Sequence, residues 1–204
     1  MTTENRSSKI RTMCLTAMFM AVEFAMWTMG LGQVPVGPLN MSFLTVPVAL
    51  GAMLLGIPAG TILGAAFGLT SFLDAMSGKS VLTGFFFSVS PLKTFLLCVV
   101  MRTLMGALTG LFFSALRRTS RRAWTWYAGA LAAPLLNTCL FMGFIVLAFY
   151  QTEMVQGIVT RLGAANPFMF VVLLVGVQGL AEAAVCTLVS GTVAQGVARA
   201  MHIR

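Results

Sequence analysis

Six apolar runs, each close to the length that crosses a bilayer and joined by short connections, leave this chain little choice but a membrane-embedded helix bundle. A spanning helix takes about 20 mostly apolar residues, or about 17 at the short end. The runs fall at about 12–31, 41–56, 58–76, 91–116, 124–150 and 168–194. The second is short and contains Pro47, which predicts a kinked or shallow segment, and LGIPAG leaves almost no loop before the third. Composition agrees: 58% of the 204 residues are hydrophobic and 9% charged, against about a quarter charged in soluble domains. Glu23 interrupts the first run and no A-x-A-like site follows it, so a cleaved signal peptide is not expected. The expected fold is an all-α membrane protein, a six transmembrane helix bundle forming a single polytopic domain over 1–204.

The surplus of bases, thirteen Lys plus Arg against five Asp plus Glu, reads by position. Arg6, Lys9 and Arg11 precede the first run, Arg117, Arg118, Arg121 and Arg122 fill the turn after the fourth, and Arg199 and Arg204 follow the sixth. The positive-inside rule then predicts cytoplasmic N- and C-termini, in agreement with an even number of spans. Trp124, Trp126 and Tyr127 follow the basic turn, where amphipathic rings favour the headgroup level. Topology and lipid-bilayer contact account for the net charge of +8, so no nucleic-acid partner is expected.

Several chemistries are closed off. The single histidine, His202, lies at the chain end, so a histidine-based catalytic dyad or multi-histidine metal site is not available. Neither a G-x-x-x-x-G-K-[ST] loop nor a G-x-S-x-G elbow occurs. Cys14, Cys98, Cys139 and Cys186 lie on four different spans without a C-x-x-C pair and read as small buried hydrophobes. No enzyme activity, metal or cofactor is expected. Gly60, Gly64 and Gly68 form a continuous small-residue stripe, and Gly106 with Gly110 repeats it on the fourth run, a pattern that lets membrane helices approach closely.

Charges at membrane depth are costly enough to mark function. At 1.5 Å per residue, Glu23 lies about 17 Å into its span, Arg102 about 16 Å and Glu182 about 21 Å into theirs. Glu23 is two and six positions from Ala21 and Ala17, so if those alanines look outward the glutamate looks inward. Arg102 and the two acids suit either mutual neutralisation or ligand binding. A second polar set comprises Lys93 at the start of the fourth span, Asn137 with Phe141 and Phe144 on one face of the fifth, and Gln178 one turn from Glu182 on the sixth. Together they describe a pocket for a small polar molecule with some flat or apolar surface.

The outer connections are candidate gates. QVPVGPLN, running from Gln33 to the candidate binding residue Asn40, reads as a fixed-shape loop. SGKSVLTGFFFSVS, at 77–90, presents three phenylalanines that suit either a lid over the pocket or insertion at the bilayer interface. A third connection, 151–167, carries Glu153, Arg161 and Asn166.

The basic N-terminus, the Ala17-x-x-x-Ala21 face and the string PVALGAMLLGIPAGTILGAAFGLTSFL at 47–73 resemble the S components of energy-coupling factor (ECF) transporters, the substrate-binding membrane subunits of a vitamin uptake family. The resemblance covers essentially the whole chain; Ile57-Pro58 stands where the family often has Gly-Pro. It implies a partnership with an ECF module of one membrane scaffold subunit and two ATPases, with Ala17 and Ala21 docking on the scaffold. It implies a high-affinity vitamin site among the outer halves of helices four to six, matching the positions of Lys93, Asn137 and Gln178, and a place in the prokaryotic cell membrane. The QVPVGPLN segment and the helix after it look closest to pantothenate-type members, with Lys93 or Arg102 to meet a carboxylate. Riboflavin is the alternative, if the phenylalanines stack a flat ring. Outside the resemblance, Glu23, Arg102 and Glu182 also fit the relay of a stand-alone ion- or proton-coupled carrier, and the glycine faces fit a purely structural membrane protein.

Overall fold

A computed structural model describes residues 3–36, 39–120 and 122–200; Arg121, His202 and Arg204 lie outside the described residues. Helix α1 (Thr3–Thr28) leads into a two-stranded antiparallel hairpin, β1 (Gln33–Val36) and β2 (Leu39–Ser42), in which Gln33 pairs with Ser42. Helices α2 (Thr45–Leu55), α3 (Ile57–Met76) and α4 (Val81–Val89) follow. A long helix, α5 (Pro91–Thr119), contains a π-helical turn at Leu96–Val100. Then come α6 (Trp124–Phe149), α7 (Glu153–Leu162) and α8 (Pro167–Ala200).

Among the described residues, five helices are long and apolar enough to cross a membrane: α1 from Lys9, α3, α5, α6 and α8. The second expected span is not among them. Its helix has 11 residues, about 16 Å at 1.5 Å per residue, against a hydrocarbon core of about 30 Å. Hydropathy carried the expectation back to residue 41, but there the backbone is committed to the β ladder, and the helix starts only at Thr45. Eight of its residues are buried, so this short helix is sheathed by protein. The QVPVGPLN segment is thus largely hairpin where a loop was expected, with its Gly37 and Pro38 outside the described residues.

The glycine stripe explains how the bundle closes. A Cβ at Gly60 would stand 2.6 Å from the Gly106 carbonyl oxygen, one at Gly68 would stand 2.7 Å from Val99 Cα, and one at Gly64 would overlap the Arg102 carbonyl oxygen. Helices α3 and α5 therefore run antiparallel in backbone contact, which hydrogen side chains alone permit. Across the bundle, Cys186 meets the Ala130 carbonyl and Tyr127 packs on Gly191, so α6 and α8 are antiparallel too. Two apolar cores result. One joins Leu44, Val48, Phe67, Met105, Phe113 and Trp126, and the other joins Leu82, Phe86, Leu97, Met142, Ile145 and Phe149.

Two aromatic expectations change. Trp126 is buried against Phe113 at 4.9 Å, with the Arg117 guanidinium 5.0 Å from its ring, whereas Trp124 is exposed. The phenylalanine run forms α4, and its rings diverge: Phe86 stacks on Phe149 at 4.2 Å in the second core, and Phe87 meets Phe72 edge-on. Ring packing of that kind outcompetes exposure to solvent.

Candidate functional site

Between the two cores lies a cavity of about 660 Å³ of atom-free space, counting its open mouth. Its wall draws on nearly every part of the chain. The hairpin supplies Gln33, Asn40 and Ser42, α4 supplies Leu82 and Thr83, and α5 supplies Arg102. Helix α6 adds Asn137, Thr138 and Phe141, while α8 adds Gln178 and Glu182.

Local backbone features aim these groups. The π turn at Leu96–Val100 ends just before Arg102, and π turns recur at functional positions because they rotate the residues after them. On α8 the backbone breaks at Gly176, whose φ of 32° favours glycine, between the wall residues Val175 and Gln178. Ser42, the last residue of β2, donates its backbone N–H to Glu182 Oε2 at 3.3 Å, tying the hairpin into the bundle at the depth of the acid. The hairpin base is also joined to α1 by Gly32 N–H to the Met26 carbonyl.

Arg102 is buried, yet no carboxylate oxygen lies within 4.0 Å of its guanidinium among the described residues; the ion pair found there joins Lys79 to Asp74. Aromatic rings meet it instead, Phe67 at 4.4 Å and Phe141 at 4.6 Å from the guanidinium carbon, and one N–H reaches the Cys98 carbonyl at 3.5 Å. Direct mutual neutralisation by Glu23 and Glu182 is therefore not what the structure shows. Glu182 still acts on Arg102 through space, as does Asp74.

Six wall residues each retain a buried polar atom without a hydrogen-bond partner: Gln33 Nε2, Ser42 Oγ, Thr83 Oγ1, Arg102 Nε, Asn137 Oδ1 and Glu182 Oε1. Leaving such a group unsatisfied costs about 1–3 kcal/mol. Their convergence on one cavity makes it the candidate site, although both Glu23 oxygens and Thr187 Oγ1 are also unpartnered and lie off its wall.

The candidate residues divide accordingly. Asn40, Arg102, Asn137, Phe141, Gln178 and Glu182 stand on the cavity wall. Lys93 does not: it lies exposed in the first turn of α5, with buried Thr94 as its neighbour. Phe144 shares a helix face with Asn137 but lies two turns along it, about 10 Å, and packs on the second core. Helix α1 turns Ala17 and Ala21 outward and buries Glu23 to 1% exposure, as the helical spacing predicts. Glu23 is not on the cavity wall.

Asp74 escaped the sequence reading. Near the end of α3, it accepts a hydrogen bond from Trp27 Nε1 at 2.9 Å and pairs with Lys79 at 4.0 Å, fastening α1 to α3. An acid at the end of an apolar run is indistinguishable from a loop charge until the fold closes over it. Gln33, Ser42 and Thr83 were likewise hidden, since nothing local marks a polar residue next to a turn as a cavity wall.

Among the described residues, five span-length helices, four of which contribute to the wall of a polar cavity, define a multi-pass membrane protein. A family model described as ECF transporter, substrate-specific component, matches residues 11–194. The chain belongs to this family of substrate-specific subunits for the uptake of vitamins or other small molecules, which implies both a substrate and an ECF module. Comparison with curated proteins yields no match.

Proposed function

We propose that this chain is the high-affinity vitamin-binding subunit of an ECF transporter in the prokaryotic cell membrane, with pantothenate as its substrate, and that it binds and carries rather than catalyses. The observation that carries the reading is the cavity with six unpartnered polar atoms. Pantothenate offers what such a wall needs: a carboxylate for the Arg102 edge, and hydroxyl and amide N–H donors for Asn137 Oδ1 and Glu182 Oε1. A flat ring system finds less support, because Phe144 and the α4 phenylalanines pack elsewhere and Phe141 already carries the Arg102 guanidinium.

In this proposal the chain makes six traversals with both termini cytoplasmic. The second is shared between hairpin and α2, because Ser42 already stands at the depth of Glu182 when the helix begins. The scaffold subunit of the ECF module, which brings two ATPases, docks on the outward face of α1 at Ala17 and Ala21, where small side chains let helices approach. Support comes from the exposure of both alanines and from α1 being only 11% buried over its apolar window.

Mass spectrometry of small molecules released from the detergent-purified protein tests the reading. Near-stoichiometric pantothenate is expected. Another vitamin at that occupancy would replace the substrate and keep the class. A reproducibly empty protein that transports alone in proteoliposomes would refute the reading in favour of a self-sufficient carrier.

A further inference from the structure

We propose that Glu23 is a proton-binding site separate from the cavity, and that holding a proton there is what lets α1 seat on the bundle. The helix is attached by a narrow strip, being only 11% buried over its apolar window. In that strip Phe19, Met20 and Met26 pack on the first core, and Trp27 binds Asp74. Glu23 lies one helical turn from each of these four residues, so the contacts that seat α1 also close over its carboxyl. It is 1% exposed, and both of its oxygens are without a hydrogen-bond partner.

Among the described residues no counter-charge reaches it. Helix α1 packs on α2 and α3. Helix α2 and the hairpin carry no ionisable residue, and α3 carries Asp74 alone, already engaged by Trp27 and Lys79. Along α1 itself the nearest charge is Arg11, about 18 Å away along the axis. Arg102, on α5, feels Glu182 and Asp74 and forms no ion pair with Glu23. A buried carboxylate in such a place is far costlier than the neutral acid. A hard metal cation takes several oxygen ligands, and no group of three His, Cys, Asp or Glu side chains that suits a metal occurs among the described residues. A proton needs one oxygen. Taking it up turns the carboxylate into a carboxylic acid that α1 can carry into apolar packing, and any motion of α1 that wets Glu23 lets the proton go.

Glu23→Gln, which keeps the shape without the acid, tests this on the detergent-purified full chain. A glutamate freed by unfolding ionises above about pH 4.3, whereas the seated one is neutral, so the parent must take up a proton to fold and loses stability as pH rises. The glutamine variant has no such proton to take up. One proton amounts to about tenfold in the folding equilibrium per pH unit. Thermal unfolding between about pH 5 and 8 should therefore show the parent's Tm falling relative to that of Glu23→Gln by about 3–5 °C per unit. Infrared spectra at neutral pH should show the C=O stretch of a protonated carboxyl in the parent, diminished in the variant. Parallel Tm curves, or a carboxyl band that the substitution leaves unchanged, overturn the proposal. Glu23→Met is a second neutral replacement, read in the same way where the glutamine variant does not fold. Failure of both to fold also overturns it, because a site that seats a neutral acid accepts a neutral side chain of similar length.

Discussion

Gly64 stands where packing and site meet, and replacing it separates the two contributions. A methyl group there would overlap the Arg102 carbonyl oxygen and sit 3.2 Å from the carbonyl carbon and 3.3 Å from Thr103 Cα. All three are backbone atoms, so no rotamer relieves the clash and α3 must move off α5. Overpacking of this kind costs about 1–3 kcal/mol. Helix propensity opposes it, since alanine is favoured over glycine by up to about 1 kcal/mol. Gly143→Ala supplies the control: it lies inside α6 with no neighbour within 4 Å of its added Cβ, so it isolates the propensity gain. The difference between the two variants is then the clash alone. For a chain of this size, about 2–4 °C per kcal/mol converts the clash to a Tm lower by about 2–12 °C in Gly64→Ala than in Gly143→Ala, read by thermal unfolding in one detergent. Ligand affinity should fall as well, because the displaced backbone carries Arg102. Two variants that melt alike would refute the claim that contact at Gly64 holds these helices.

Ala17→Trp should abolish uptake by the assembled transporter while leaving the dissociation constant intact; lost affinity would show that the α1 face is not separate from the cavity. Asn137→Ala should weaken binding by about 1–3 kcal/mol, the cost of an unmet buried hydrogen bond, and an unchanged calorimetric constant would remove Asn137 from the site. Trp27→Phe removes the donor to Asp74 and should lower thermal stability by about 1–3 kcal/mol; a Tm equal to the parent would show that this bond does not fasten α1. Lys93→Ala should leave affinity unchanged, since Lys93 is exposed and off the cavity wall, and a tenfold loss would restore it to the site.

Much of this architecture was legible in the order of residues because bilayer physics acts on local composition. An apolar run must satisfy its backbone internally and so becomes a helix, which is why α3, α6 and α8 lie close to where hydropathy puts them. Helical spacing alone placed Glu23 opposite Ala17 and Ala21. Glycines at every fourth position announced a close helix contact without naming the partner, and the fold shows α3 against α5. Four candidate wall residues, Arg102, Asn137, Gln178 and Glu182, were visible as polar groups stranded in apolar runs, where their cost makes them conspicuous.

Other features depended on distant contacts. The hairpin's attachment to the bundle includes the bond from Ser42 to Glu182, 140 residues away, which no short window of sequence contains. Lys93 and Phe144 had suitable chemistry, but the first faces outward and the second lies two turns too far along its helix. Composition by itself determined that this chain lives in a membrane and keeps a few costly polar groups there. Only the tertiary structure decided that Arg102 meets aromatic rings instead of an acid, because pairing depends on where helices cross, and that is set by small residues whose contacts lie on other helices.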